Sequence, residues 1–184
     1  MKHSIIIVGL ALAVRAYSQN SIGVKRDSLG ILQNPVGSSL PTFSSDTGGG
    51  VITNSNFAGK VVYINVWANG CKPCMAELGG LNEMYDSLRN YKNFEFVSFA
   101  LGTKETVILL KRKYKIHYPV IAASETTCNI LDFSEGFPTS TIIDPSGKIM
   151  YYKLGGNIDS TKARDFIMKQ LYPGLKNMLN IKRQ

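Results

Sequence analysis

Two cysteines, Cys71 and Cys74, are separated by two residues and directly follow the apolar run Val61–Trp67. Thiols at this spacing can form a disulfide with each other, and they can also supply half of a metal site. The residues after Cys71 follow a helical pattern, so this cysteine is expected at a helix N-terminus with Cys74 one turn inside. Unpaired N–H groups and a partial positive charge at that position favour a thiolate. The spacing therefore predicts an attacking thiol with a resolving thiol in reach.

Other functions remain open on these residues alone. Structural zinc commonly takes four ligands, whereas this chain offers one close cysteine pair, an isolated Cys128 and two histidines. A metallochaperone for Cu(I) is the better metal hypothesis, because Met75 or His117 could join the two soft thiolates. A non-catalytic binding module on the same fold is a third alternative, and it would carry a cysteine pair too buried to be alkylated.

Residues 1–18 are predicted to be a signal peptide. Lys2 precedes the apolar stretch Ile5–Val14, which is too short to cross a bilayer but suits the core of a secretory signal. Small residues at Ala16 and Ser18 fit a cleavage site after Ser18. The signal predicts an exported protein of a bacterial periplasm, where disulfides can form, and a retained signal would leave it membrane-tethered.

The rest of the chain is predicted to form a flexible lead-in, residues 19–39, and one domain, residues 40–184. With 44% hydrophobic and 18% charged residues, the composition is that of an ordinary globular protein. The net charge of +8 falls to +6 when Lys2 and Arg15 leave with the signal. The basic residues are spread along the chain without aromatic interleaving, which argues against nucleic-acid binding.

The order of elements positions the cysteine pair. Apolar periodicity predicts a short hairpin, then strands and helices in alternation, then a second hairpin and a closing helix. This order predicts an α/β fold with a mixed β-sheet, helices on both faces and an N-terminal β-hairpin extension. The cysteine pair then falls where the first central strand ends and its helix begins. The predicted strands are 42–44, 51–53, 61–67, 94–101, 118–123, 139–144 and 148–154, and the predicted helices are 71–90, 104–116, 128–133 and 160–171.

Three segments occur in the order "GKVVYINVWANGCKPCMAEL", "YKIHYPVIA" and "GFPTSTIIDPSGKI". Together they resemble the exported thiol-disulfide oxidoreductases of the TlpA/ResA type, which have a thioredoxin-like fold and are related to the AhpC/TSA group. The match extends from Leu40 to Lys169. The resemblance implies that Cys71 attacks and Cys74 resolves. It also implies that no dissociable cofactor is needed, because the cysteine pair carries the two electrons.

The resemblance implies further site residues. Pro138 matches the cis-proline that faces the cysteine pair, and Phe137 before it would present its backbone to an extended substrate. Trp67 matches the tryptophan beneath the active site. Glu77 matches an acidic residue that could hold or move the proton of Cys74, and the alternative is an exposed glutamate favoured by the helix dipole.

Three positions depart from the family pattern. Gly70 stands where thioredoxins often have tryptophan, which removes an apolar contact from the docking surface. Gly79 stands where relatives often have proline, and the Gly79–Gly80 pair is expected to bend the helix at that place. Cys128 has no counterpart, so we interpret it as a buried, inert thiol, with a regulatory partner for the active pair as the alternative.

The direction of electron flow and the partners are less well defined. Lys72 favours the thiolate and hence a more oxidising pair, whereas Pro73 resembles the reducing members, which makes a reductase the preferred interpretation. The resemblance implies oxidised protein substrates, with apocytochrome c as one candidate, and a membrane thiol-disulfide electron donor. A monomer is expected.

Overall fold

The computed structural model describes residues 34–180 and consists of a small hairpin and a five-stranded sheet flanked by helices. The strands are β1 (Ser44–Asp46), β2 (Val51–Thr53), β3 (Val61–Ala68), β4 (Phe94–Leu101), β5 (Val120–Ala123), β6 (Thr139–Ile143) and β7 (Ile149–Leu154). The helices are α1 (Lys72–Leu88), α2 (Lys104–Lys113), α3 (Glu125–Leu131), α4 (Ser160–Phe166) and α5 (Tyr172–Asn180), with a 3-10 turn at Asn54–Phe57. The predicted fold class is confirmed.

The large sheet has the strand order β5-β4-β3-β6-β7, so β3 lies at its centre. Strands β3, β4 and β5 are parallel, and β6 and β7 run antiparallel to their neighbours. Every residue of β3 from Val61 to Trp67 is buried, as its continuous apolar sequence predicts for a strand covered on both faces. The carboxyl end of this strand leads directly to the cysteine pair.

Alternate residues of β3 enter two separate apolar cores. Tyr63 and Trp67 pack on the face covered by α1, α4 and α5, where the core also includes Cys74. Val62 and Ile64 pack on the opposite face, with α3 and the residues of the small hairpin. Burial on both sides fixes β3 in place, so the start of α1 is held by a rigid strand.

Helix α1 is continuous from Lys72 to Leu88, within the predicted range. Gly80 allows the last helices to approach it, because an added Cβ there would lie 3.0 Å from the Cα of Arg164 and 3.0 Å from Cδ1 of Ile167. The glycine pair, interpreted above as a bending point, thus includes a residue that serves close helix packing.

The small hairpin forms two residues later on its first strand than predicted. The backbone N–H of Phe43 donates to Oδ1 of Asn54 at 3.0 Å, so this residue is engaged by a side chain instead of the partner strand. Ladder pairing begins at Ser44, opposite Thr53. The turn is closed where the N–H of Thr47 donates to the carbonyl of Gly50.

The prediction that the last helix ends at Leu171 is wrong, because the chain remains helical to Asn180. A π-helical stretch at Ile167–Leu171 joins α4 to α5, and the N–H of Tyr172 donates to the carbonyl of Ile167, five residues back. This wider turn accommodates Pro173, whose missing N–H would otherwise interrupt the helix. Leu175 and Leu179 then continue the buried stripe of the helix.

The domain extends a few residues before the predicted boundary at residue 40. The N–H of Gly37 donates to the carbonyl of Ile149, and the N–H of Ile149 donates to the carbonyl of Ser38, both at 2.8 Å. The predicted signal peptide and most of the predicted lead-in lie outside the described residues. Between residues 34 and 180, no helix combines the length and the apolar character needed to cross a membrane.

Candidate active site

Cys71 and Cys74 form a disulfide, with 2.03 Å between the sulfur atoms and 5.2 Å between the Cα atoms. Cys71 is the N-cap of α1, and its sulfur accepts the backbone N–H of Cys74 at 3.3 Å. Cys71 is partly exposed, whereas Cys74 is only 2% exposed. The predicted asymmetry between an accessible and a shielded sulfur is therefore present in the structure.

Gly70 has a structural reason for its departure from the family pattern. Its φ angle is +83°, in the left-handed region that glycine adopts without steric penalty. This conformation closes a turn in which the N–H of Cys71 donates to the carbonyl of Ala68. No atom lies within 4 Å of the place where a Cβ would stand, so the position is open above the cysteine pair.

Glu77 lies on the buried side of α1, one turn beyond Cys74, and is 6% exposed. This excludes the alternative of an exposed first-turn glutamate. Its Oε2 atom has no hydrogen-bond partner, and its Oε1 atom borders Gly156, where an added Cβ would lie 2.5 Å away. Burial raises the pKa of Glu77 to about 7, and the charge of Lys153 acts in the opposite direction. A carboxyl group with this pKa can both accept and release a proton near neutral pH.

Three tyrosines lie in the electrostatic range of Glu77. Burial raises the pKa of each phenol, and the charge of the carboxylate raises it further. The pKa of Tyr151 rises to about 12, and those of Tyr63 and Tyr118 are raised well above their ordinary values. The hydroxyl of Tyr63 shares a hydrogen bond of 2.8 Å with Oγ of Ser140. The hydroxyl of Tyr118 is buried without a hydrogen-bond partner among the described residues. The phenols therefore remain neutral around the carboxylate, and none of them can act as its counter-ion.

Trp67 is fixed beneath the site. It is 1% exposed, and its indole N–H donates to Oγ of Ser98 at 2.8 Å. Ser98 in turn donates to Oδ1 of Asn65 at 3.1 Å. Because Trp67 is buried, we expect it to support the substrate surface from below, without touching a docked peptide.

The Phe137–Pro138 peptide bond is cis, as predicted. Phe137 is partly buried and packs against both apolar cores, and the carbonyl of Pro138 accepts the N–H of Gly155 at 2.8 Å. The Cγ atom of Pro138 lies 3.3 Å from the position of a Cβ added at Gly156, which also borders Glu77. The proline loop and the buried carboxylate therefore meet at one glycine.

Cys128 is completely buried on the other face of the sheet. Burial raises the pKa of its thiol to about 12, and the acidic side chains of Asp132 and Glu125 add to the shift. His117, a possible copper ligand by sequence, instead contacts Oδ2 of Asp86 through Nδ1 at 3.1 Å. Within residues 34–180, no three side chains among His, Cys, Asp and Glu form a metal-binding cluster.

Sequence reasoning missed Lys153 and Gly156 at the site, and Asp132 beside Cys128 on the other face of the sheet. The first two lie on or just after the edge strand β7, and nothing in their spacing from Glu77 indicates that the fold brings them to it. Asp132 carried a detectable signal, since it is an acidic residue between Leu131 and Phe133 in an otherwise apolar segment.

This arrangement, a disulfide at the start of the helix that follows the central strand of a thioredoxin-like sheet, defines the class of thiol-disulfide oxidoreductases. The Redoxin family model matches residues 35–167, and the chain belongs to this family. The sequence is 34% identical over 125 residues to the thiol-disulfide oxidoreductase ResA of Bacillus cereus, covering 65% of this chain and 70% of the relative. The resemblance to the TlpA/ResA type is thereby confirmed.

Two further matches agree. ResA of Bacillus subtilis is 29% identical over 142 residues, covering 75% of this chain and 76% of the relative. A crystal structure from Chlorobium tepidum, of a protein assigned as the thiol:disulfide interchange protein DsbE, superimposes with a TM-score of 0.65 at 24% identity. It covers 78% of this chain and 99% of that chain, so nearly the whole of the solved structure corresponds to the present fold.

Proposed function

We propose that this protein is an extracytoplasmic reductase that transfers electrons to oxidised protein substrates through Cys71 and Cys74. The observation that carries the proposal is the disulfide at the N-cap of α1, with the buried carboxyl of Glu77 one turn beyond the resolving cysteine. An accessible sulfur, a shielded sulfur and a group that titrates near neutral pH are what stepwise disulfide exchange needs.

The reaction begins with the reduced pair. The thiolate of Cys71 attacks one sulfur of a substrate disulfide, so that a mixed disulfide forms and the other substrate sulfur leaves as a thiolate. Glu77 then accepts the proton of the Cys74 thiol. The resulting thiolate attacks Cys71, which restores the Cys71–Cys74 disulfide and releases the second substrate thiolate. Two electrons move from the protein to the substrate, and the released thiolates take up protons.

The surface beside the cysteines suits a peptide in extended conformation. Phe137 and Pro138 form the rim of the site, and we propose that the backbone of Phe137 pairs with the substrate beside its disulfide. Trp67 supports this rim from the core. The fixed positions of these residues would orient the substrate disulfide towards Cys71.

We assign the protein to the periplasm, on the basis of the predicted signal peptide and a redox pair that needs an oxidising compartment to find disulfide substrates. The substrate class is oxidised exported proteins, with apocytochrome c as a candidate. A membrane thiol-disulfide protein would reduce the Cys71–Cys74 disulfide again after each cycle. Titration against a glutathione series tests the direction, since a potential well below that of glutathione is expected for a reductase.

Three serine variants test the mechanism on non-reducing gels after mixing the reduced proteins with an oxidised substrate protein. Cys74→Ser should attack the substrate and remain attached to it, because the resolving thiol is missing. Cys71→Ser should lose both attachment and turnover. Cys128→Ser is the matched control, since this thiol is buried on the other face of the sheet, and it should keep its activity. Equal attachment by the two active-site variants would contradict the asymmetric roles.

A further inference from the structure

The side chains of Lys153 and Glu77 reach the same two-glycine segment. The ammonium group of Lys153 donates a hydrogen bond to the carbonyl of Gly155. The next residue along the chain, Gly156, borders the Oε1 atom of Glu77 so closely that an added Cβ would lie 2.5 Å from it. The carbonyl of Gly155 and the Cα of Gly156 belong to one peptide unit. The ammonium group of Lys153 and the carboxyl group of Glu77 therefore both lie against the same peptide.

Lys153 is held at this place by contacts of its own. Its ammonium lies 4.8 Å from the centre of the Phe166 ring, a cation–π distance, in addition to its bond to Gly155. The residue is only partly exposed and belongs to β7, so its stem is fixed by the sheet. A cation with two anchors keeps a constant relation to the carboxyl group beside it.

Among residues 34–180, the other side chains with a charge interaction with Glu77 are three phenols. Tyr63 approaches from β3, Tyr118 from the segment before β5 and Tyr151 from β7, and all three phenols remain neutral near pH 7. Cys74, three residues before Glu77 in α1, is bonded in the disulfide. Burial favours the protonated carboxyl, and the charge of Lys153 opposes this by lowering the pKa. Without the cation, desolvation would act on Glu77 unopposed.

We propose that Lys153 is a positioning residue that keeps Glu77 ionised often enough at neutral pH to accept the proton of Cys74. This inference rests on the proposed function, because it assigns a role to Lys153 within the closing step. The cation does not touch the substrate or the sulfur atoms. It acts through Glu77, by stabilising the carboxylate that takes the proton.

Gly156 completes this arrangement, because only a residue without a side chain leaves room for the carboxylate. The space is bounded by the Oε1 and Cδ atoms of Glu77 and by the ring of Pro138, at 2.5, 3.1 and 3.3 Å from an added Cβ. Any larger residue would push the carboxyl group away from the peptide that Lys153 engages. The absence of a side chain at Gly156 therefore lets the carboxyl group of Glu77 lie against this peptide.

The first test measures the titration of Glu77 in the oxidised protein by carbon NMR of labelled glutamate carboxyls. Lys153→Gln keeps most of the stem and a hydrogen-bond donor but removes the charge. We expect the titration midpoint of Glu77 to rise by about half a pH unit or more, which is a threefold change in its ionisation constant. Lys153→Arg keeps the charge, so the titration midpoint of Glu77 should equal that of the parent protein. Lys148→Gln, which removes an exposed cation at the far end of the same hairpin, should leave it unchanged.

The second test follows release of the mixed disulfide against pH in the same variants. The rate profile of Lys153→Gln should move to higher pH by the same amount as the NMR midpoint, and release at pH 7 should slow about twofold, because the ionised fraction of Glu77 is about halved there. An unchanged Glu77 midpoint in Lys153→Gln would overturn the inference, whatever the turnover. The NMR readout needs no substrate, so a parent protein without exchange activity would contradict the proposed function alone.

Discussion

Each face of the sheet carries a buried cysteine close in sequence to a buried acidic residue, and the two pairs differ in their hydrogen bonds. On one face, helix α1 places a cysteine and an acid three residues apart, Cys74 and Glu77. On the other, Cys128 in α3 is followed four residues later by Asp132 at the end of that helix. All four side chains are nearly completely buried, with exposures of 2%, 6%, 0% and 1%. Burial and residue type therefore do not distinguish Cys74 and Glu77 from Cys128 and Asp132.

The two carboxyl groups differ in their hydrogen-bond partners. Asp132 accepts the N–H of Ser134 at 2.7 Å and that of Gly136, which holds the turn that leads to the proline loop. Glu77 has one oxygen without any partner. Burial raises the pKa of both groups, to about 6 for Asp132 and about 7 for Glu77. The oxygens of Asp132 hold a turn, whereas Oε2 of Glu77 has no partner and can take up a proton without breaking a hydrogen bond.

The cysteines of the two faces also differ in the backbone N–H groups near them. The sulfur of Cys71 receives an N–H group at the start of α1, and Cys74 is within bonding distance of it. Cys128 lies inside α3, beyond the unpaired donors of the first turn, and its own N–H donates to the carbonyl of Ser124. The N–H group at the start of α1 can stabilise a thiolate on Cys71, whereas burial and the acidic side chains of Asp132 and Glu125 raise the pKa of Cys128.

The largest difference is expected in the rate of exchange. Glu77→Gln should slow the closing step about tenfold to a hundredfold at pH 7, because the Cys74 proton loses its acceptor. Asp132→Asn is the matched control and should stay within about twofold of the parent. Stopped-flow measurement of mixed-disulfide decay compares the two, and equal rates in all three proteins would remove the distinction between the carboxyl groups.

A second difference is expected in stability against pH. The pKa of Glu77 is raised by folding to about 7, so its ionisation costs stability progressively as pH rises from the unfolded pKa through 7. Glu77→Gln should therefore be more stable than the parent at pH 8, by on the order of 2 kcal/mol, and no more stable at pH 4. Urea denaturation of the oxidised proteins at both pH values measures this. A variant destabilised at pH 8 would show that the carboxylate is not penalised by burial.

The smallest effect concerns the turn after α3. Asp132→Ala should lower the free energy of unfolding at pH 5 by about 1 kcal/mol, since the N–H of Gly136 loses its acceptor and that of Ser134 keeps only the carbonyl of Asn129. Phe133 and Ser134 have φ angles of 60° and 61°, in the left-handed region that is unfavourable for residues with side chains. The hydrogen bonds to Asp132 offset that cost. Urea denaturation at pH 5 provides the measurement, and parent-like stability would mean that other contacts hold the turn.

The fold was predictable because its signals are local. The continuous apolar run of β3 and the alternation of strands and helices lie within short windows of sequence, and they determine where the helix with Cys71 begins. The motif around Pro138 was recognisable for the same reason. Local patterns also predicted that Cys74 would be shielded, because it lies one turn inside the helix.

The surroundings of Glu77 were not predictable, because they come from distant parts of the chain. Lys153 and Gly156 follow Glu77 by more than seventy residues and reach it only through the pairing of β6 with β3 and of β7 with β6. The end of the last helix was missed for a different reason. Pro173 and Gly174 suggest a stop, and a π-helical turn lets the helix continue past them.

The pairing of Gly37 and Ser38 with Ile149 has a consequence for solubility. Strand β7 is an outer strand of the sheet, and it exposes Met150 and Leu154 at 47% and 43%. An exposed apolar edge strand of this kind can pair with a strand of a second chain. The two hydrogen bonds to Ile149 occupy the backbone groups at the beginning of β7, while Lys153 places a charge near its end. Gly37 and Ser38 therefore leave fewer backbone groups of β7 open to pairing with a second chain.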